Sequence, residues 1–236
     1  GSVRNNKTAE LADMIKSKLK IEPLAHLTCV NSTREEIDII LENLKELQVQ
    51  NILALRGDIS PDSALPEDFH HACDLIRYIK EHSDFNIAAA CYPEKHLEAS
   101  SMDEDIQYLK EKTDLGLGHL ISQLFFDNGN FYRFLDKIRQ KGISVPVEAG
   151  IMPITNAAQI EKMTNMCGAL VPEQCRKMIE RYGDDPVAMR DAGIIYATNQ
   201  IMDLVANGVE GVHIYTMNNP YVARKITLSI GSLLHD

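Results

Sequence analysis

The chain has 236 residues, 44 % hydrophobic and 25 % charged, which is enough for one domain with its own core and ordinary for a globular protein. Its net charge of −10 argues against a nucleic-acid scaffold, which needs a basic face, and no apolar run nears the roughly 20 residues of a membrane helix. The polar start Gly1-Ser2-Val3-Arg4-Asn5-Asn6 is unlike a signal peptide, and five cysteines without a Cys-x-x-Cys pair leave no metal site expected.

Taken in chain order, helix and strand alternate. Lys7 to Leu19 reads as a helix with Leu11, Met14, Ile15 and Leu19 on one stripe. Leu24 to Val30 is a short apolar strand. Thr33-Arg34-Glu35-Glu36 has the spacing of a capping box and opens a helix that buries Ile37, Ile40, Leu41, Leu44 and Leu47. Asn51 to Leu55 is a strand ending in Arg56-Gly57-Asp58. A Pro- and Asp-containing loop leads to a helix from about Pro66 to His82. Asn86 to Cys91 is a small-residue strand, Met102 to Asp114 a helix, His119 to Phe126 a strand and Asn130 to Lys141 a helix. The pair Gly116 and Gly118 reads as a helix-to-strand turn, not a dinucleotide loop, because it precedes a strand. Val145 to Ile151 is a strand. Helices follow at Asn156 to Met166, Pro172 to Tyr182 and Pro186 to Asn207, the last started by Asp184-Asp185. Val212 to Tyr215 is the last strand and Tyr221 to Leu234 the last helix.

Six strands that alternate with helices run parallel, since each crossover returns the chain to the same edge. An open doubly wound sheet and a (β/α) barrel both satisfy the pattern. In either, chemistry collects past the C-terminal ends of the strands. Those ends offer His26, then Arg56 with Asp58, Tyr92 with His96, Gln123 with Asp127, the segment Pro153 to Asn156, and Tyr215 to Asn218. Polar groups set against apolar runs cost several kcal/mol unless paired, so a ring of them points to a polar ligand. Taken singly, His26 is equally a satisfied core histidine, Arg56 and Asp58 an ion pair, and His96 an exposed loop residue. Cys29 and Cys91 read as small core residues, and reduced thiols fit a cytoplasmic chain. His70 and His71 lie side by side, where a helix would point them apart, so they do not read as metal ligands.

The strand-end phrases resemble one family, the methylenetetrahydrofolate reductases. They are Ala25-His26-Leu27-Thr28-Cys29, Ala54-Leu55-Arg56-Gly57-Asp58, Tyr92-Pro93-Glu94-Lys95-His96-Leu97-Glu98-Ala99 and Ser122-Gln123-Leu124-Phe125-Phe126-Asp127. Ala149-Gly150-Ile151-Met152-Pro153-Ile154 and His213-Ile214-Tyr215-Thr216-Met217-Asn218 complete the set. The resemblance spans essentially the whole chain and implies a (β/α)8 TIM barrel, with residues 1–236 forming a single FAD-binding domain that lacks the barrel's first two strands. It implies that NADH or NADPH and 5,10-methylenetetrahydrofolate react in turn through bound FAD, giving 5-methyltetrahydrofolate by a ping-pong course.

Carried over by motif, His26, Arg56, Gly57, Asp58, Ala72, Tyr92, His96, Asp105 and Lys112 are the implied FAD-binding set. Asp58 and Gln123 are the implied catalytic pair, and Gln123 and Gln159 the implied folate contacts. Arg56 and Lys112 suit a diphosphate, and Gly57 permits close approach of the backbone. Asp105 and Lys112 are two helical turns apart, on one face. The partners implied are folate and a nicotinamide nucleotide, without nucleic acid or membrane, in a homo-oligomer.

The sequence also departs from the family. The Phe-Glu-Phe-Phe-Pro-Pro-like and Thr-Tyr-Gly-like strand motifs, the first with the family's general-acid Glu, do not occur in it. Asn219 stands where many members carry Arg, Met163 where several carry an aromatic, and Leu117 where relatives carry a small residue. A non-catalytic fragment or subunit that binds FAD or a partner is therefore the alternative expectation. A flavin-free folate-binding barrel is a third, which the diphosphate cations oppose.

Overall fold

The computed structural model describes residues 7–30, 32–58 and 68–234, without the side chains of Gln159, Glu161 and Lys162. In chain order the elements are α1 (Lys7–Leu19), β1 (Leu24–Thr28), α2 (Arg34–Glu46), β2 (Asn51–Leu55), α3 (Ala72–His82), β3 (Asn86–Cys91), α4 (Met102–Asp114) and β4 (His119–Ser122). Then come α5 (Asn128–Gln140), β5 (Val147–Ile151), α6 (Ala157–Cys167), α7 (Glu173–Tyr182), α8 (Pro186–Ala206), β6 (Gly211–Ile214) and α9 (Pro220–Ile230), with a short 3-10 turn at Gly231–Leu233. The strands lie in one sheet in sequence order, β1-β2-β3-β4-β5-β6. That is the order a (β/α) barrel produces, and it excludes the reversed order of a doubly wound sheet.

The chain divides into two compact units. The first comprises Gly1–Ala90 with Lys110–Leu120, the second Cys91–Leu109 with Ile121–Asp236.

In the first unit, β1, β2 and β3 pair in parallel, with His26 opposite Leu53 and Leu53 opposite Ala88. The start of this sheet is fastened by side chains: Asn86 Nδ2 donates to Asn51 Oδ1, and Asn51 Nδ2 donates to Glu22. The core is built from Ile37, Leu41 and Leu44 of α2, Leu75, Ile76 and Ile79 of α3, and the buried rows of the strands. Each buried Leu or Ile contributes roughly 1.5–3 kcal/mol. Thr33 caps α2 as its spacing predicts: its Oγ1 accepts the Glu36 N–H and Glu36 returns the bond to the Thr33 N–H.

Two expectations differ in this unit. The α1 stripe is not the buried face: Leu11, Met14 and Leu19 are exposed, while Ala9 and Ala12 are buried. Small side chains let α1 approach β1 and α2 closely, so the alanine face wins over the larger one. Helix α3 begins at Ala72 instead of near Pro66, because Asp74 Oδ2 accepts the N–H groups of His70 and His71 at 3.0 and 2.9 Å and holds both outside the helix. Pro66 itself, the loop before it and the first six residues lie outside the described residues.

In the second unit, β5 and β6 pair in parallel, with Gly150 opposite His213. Strand β5 starts after Pro146, which has no N–H to give, and the Val147 N–H is taken by Glu210. Strand β4 ends at Ser122, four residues before the expected Phe126. Beyond it the carbonyls of Phe125 and Phe126 accept from Gln200 Nε2 and Tyr196 Oη of α8, not from a neighbouring strand. Asp127 then caps α5, accepting the Gly129 N–H at 2.8 Å. Asp185 caps α8 with Pro186 at its first position, the helix start foreseen in Asp184-Asp185. Phe131, Phe134 and Ile138 of α5, Ala197, Ile201 and Leu204 of α8, and Val222, Ile226 and Ile230 of α9 are buried.

Candidate functional site

In the first unit the polar residues lie where β1 and β2 run out. Past the strands, Cys29 N–H and Val30 N–H still pair with the carbonyls of Leu55 and Arg56, so the two segments leave the sheet side by side. Gly57 turns there with φ +88°, and a Cβ on it would stand 2.6 Å from Val30 Cγ1 and 3.1 Å from Thr28 Cβ. A side chain there would need both a left-handed backbone and a shift of Val30, so glycine is the residue this turn accepts. Arg56 is half-buried, and Asp58 is exposed. Cys29 Sγ lies against the carbonyls of Arg56 and His71, and burial pushes its thiol up to about 11, so it is a packed thiol and not a nucleophile.

Lys112 has a built position in this unit. Its Nζ donates to the carbonyl of Ala90, at the end of β3, at 2.8 Å, and its charge is felt by Cys73, the second residue of α3. Ala72 is the first residue of α3, so the Lys112 charge reaches the first turn of that helix, at whose start Asp74 already accepts the His70 and His71 N–H groups. His26 lies two residues before the end of β1, between buried Ala25 and Leu27. Its ring is reachable by solvent, yet desolvation by the surrounding protein lowers its pKa, favouring the neutral imidazole.

In the second unit, Tyr92 and His96 meet edge to face, with ring centroids 4.6 Å apart. Asp105 Oδ2 accepts the His96 backbone N–H at 3.0 Å, so this carboxylate holds the loop. The Glu98 N–H donates to His96 Nδ1 at 3.2 Å. That bond needs the lone pair on Nδ1, which leaves Nε2 carrying the ring proton as a donor. Gln123 N–H pairs with the Cys91 carbonyl at 2.7 Å, while its side chain folds back so that Oε1 accepts the Leu124 N–H. Gln159 lies in the first turn of α6.

Two residues that hold this region were not singled out from sequence. Ser122, fully buried, accepts the Gly150 N–H on its Oγ at 2.8 Å, and its carbonyl accepts Tyr215 Oη at 2.9 Å. A Cβ on Gly150 would stand 2.2 Å from that carbonyl, which explains the glycine in Ala149-Gly150-Ile151. Desolvation raises the Tyr215 phenol, so Tyr215 remains a neutral donor. Glu94 is the other: half-buried, it accepts from Leu170 N–H and Asn130 Nδ2. Its signal was a charged residue inside an otherwise recognisable phrase.

Fold and site together define a parallel β/α protein of the (β/α) barrel class whose polar groups stand past its strand ends. The methylenetetrahydrofolate reductase profile matches residues 1–231. The 5,10-methylenetetrahydrofolate reductase of Pectobacterium carotovorum is 33 % identical over 98 % of this chain and 76 % of its own length. Methylenetetrahydrofolate reductase (NADH) 1 of Arabidopsis thaliana is 34 % identical over 95 % of this chain and 40 % of its own. A solved structure superposes with a TM-score of 0.61 at 14 % identity, covering 93 % of this chain and 77 % of the other. It is an uncharacterized protein from Clostridium thermocellum that binds two copies of 5-methyl-5,6,7,8-tetrahydrofolic acid, and the likeness is one of fold. The chain belongs to the methylenetetrahydrofolate reductase family, a family of oxidoreductases. Among the described residues, no helix is long and apolar enough to cross a membrane.

Proposed function

We propose that this chain reduces 5,10-methylenetetrahydrofolate to 5-methyltetrahydrofolate with NADH or NADPH, in a ping-pong course through bound FAD. The observation that carries the cofactor half is the built cation: Lys112, anchored on Ala90 O, with its charge reaching the first turn of α3. That pairing suits a diphosphate, which a flavin-free folate site does not require. Gly57, at φ +88°, makes the turn that leads Arg56 and Asp58 off the end of β2.

FAD, when bound, supplies the two-electron carrier that alternately accepts and donates hydride. The chain's residues do the rest. Arg56 and Lys112 neutralise the diphosphate, with Ala72 at the helix opening, and Tyr92 and His26 line the cofactor. His96 offers Nε2–H as a donor, held by Asp105 and Glu98. Asp58 carries a carboxylate that disfavours negative charge on the reduced cofactor and accepts from the pterin. Gln123 and Gln159 match the mixed donor and acceptor edge of a pterin. Five free cysteines suit a reducing, cytoplasmic setting.

Titration of the apoprotein with FAD and with FMN, followed by flavin fluorescence, tests the assignment. FAD is expected to bind with quenching, and Lys112→Ala to raise the flavin off-rate by roughly tenfold, the scale of one charged contact. An off-rate that Lys112→Ala leaves unchanged contradicts the diphosphate placement.

A further inference from the structure

Glu94 stands inside Tyr92-Pro93-Glu94-Lys95-His96, yet the functional reading gives it nothing to do. Its neighbours are braced by groups close in sequence. Lys95, at φ +77°, turns its ammonium onto the carbonyls of His96 and Ala99, and Asp105 takes the His96 N–H. The Glu94 carboxylate bonds outside the segment. Oε2 accepts the Leu170 backbone N–H at 2.9 Å, from the connection between α6 and α7, and Oε1 accepts the side-chain amide of Asn130 in the first turn of α5. These partners are 76 and 36 residues away along the chain. A second contact joins the same segments: a Cβ on Gly168, at φ +73°, would lie 2.7 Å from Leu97 Cδ2. Burial pushes the Glu94 carboxyl above the usual carboxylate range, against its two hydrogen bonds, and nearby Asp127 adds to the rise. A carboxylate held at that cost is specified by its donors, and bonds to a charged acceptor are the strong ones.

We propose that Glu94 is a positioning residue that fastens segment 92–99, with Tyr92 and His96, to α5 and to the turn closing α6, the helix that carries Gln159. It keeps the cofactor-side groups of this unit at a fixed spacing from the folate-side helix. The inference rests on the functional reading above for the names of the two ligands. Its geometric content, one carboxylate joining three elements, stands apart from them. Removing Glu94 is then expected to weaken both ligands at once without touching either.

The test compares wild type, Glu94→Ala, Glu94→Gln and Asn130→Ala in flavin off-rate, in KM and kcat for methylenetetrahydrofolate, and in amide exchange. Glu94→Ala is expected to raise both the off-rate and the folate KM by roughly tenfold, as one lost charge-assisted bond would, with kcat within about twofold. Glu94→Gln, whose amide oxygen still accepts the Leu170 N–H, is expected to recover most of the loss. Asn130→Ala breaks the other bond from the far side and gives a smaller loss of the same kind, which keeps the test should Glu94→Ala not fold. Unchanged off-rate and KM, a change in kcat alone, or a Gln variant as damaged as the Ala variant would overturn the proposal. A wild type that holds no flavin contradicts the functional reading instead. The positioning role is then decided by exchange at Leu170 and across 92–99: faster in Glu94→Ala and restored in Glu94→Gln supports it, and equal rates in all variants overturn it.

Discussion

The ends of β1 and β2 in the first unit and the ends of β4 and β5 in the second are both expected to face ligand, and they are held by different means. The first is shaped by backbone: Gly57 at positive φ against Val30, and the first turn of α3 within reach of the Lys112 charge. The second is shaped by side-chain bonds: Ser122 to Gly150 and Tyr215, Asp105 to the His96 N–H, Tyr196 and Gln200 to the carbonyls of Phe126 and Phe125. A region built from backbone tolerates loss of polar groups but not added volume. A region laced by side chains loses stability a bond at a time, and where its backbones also touch it fails under added volume as well.

The largest effect is expected where backbone meets backbone in the laced region. Gly150→Ala places a methyl 2.2 Å from the Ser122 carbonyl, and Gly193→Ala places one 1.9 Å from the Ile154 carbonyl. Each is expected to cost about 3 kcal/mol or more in urea unfolding, because neither obstacle is a side chain able to swing away. A loss below about 1 kcal/mol would mean the two backbones separate more easily than close packing allows.

Gly57→Ala comes next. It combines a left-handed backbone with a contact to a side chain that can shift, so about 1–3 kcal/mol of stability is expected to go. Flavin binding is expected to weaken more than that loss explains, measured by titration beside the unfolding curve. Equal loss in both would reduce Gly57 to a turn residue.

How much of this the sequence shows depends on the distance of the partner. The Thr33–Glu36 box, the Gly116 turn and the Asp185-Pro186 helix start involve residues within a few positions of each other, and all three are formed. Where a distant group takes over, the local pattern misleads. His119 to Phe126 reads as one strand, but α8 side chains some 70 residues on take the carbonyls that a strand would pair. Leu11 and Met14 follow helical periodicity correctly, yet which face of α1 is buried was decided by the smaller Ala9 and Ala12. Among the site residues, Lys112 was legible as a cation on a helix, whereas its seat on Ala90 O was not. Glu94 was legible as part of a phrase, and its bond to Leu170 depends on tertiary structure alone.

Smaller effects sharpen the comparison. Tyr215→Phe removes one hydrogen bond to the Ser122 carbonyl and is expected to cost about 1 kcal/mol in urea unfolding. No measurable cost would show that the carbonyl finds another donor. The smallest concerns pH. His26 has a folded pKa below its ordinary 6.5, so the unfolded chain binds the proton first as pH falls. The folded state therefore loses stability as pH drops below about 6.5, and His26→Gln is expected to flatten that slope in melting curves taken between neutral and mildly acid pH. An unchanged slope would assign the loss to other groups.

The most direct test of the central claim is an anaerobic spectrum of the flavin-loaded protein. The account predicts absorption near ~450 nm that NADH or NADPH bleaches and that 5,10-methylenetetrahydrofolate then restores, with 5-methyltetrahydrofolate formed in equal amount. A protein that takes up no FAD, or one whose bleached flavin the folate does not reoxidise, would contradict it.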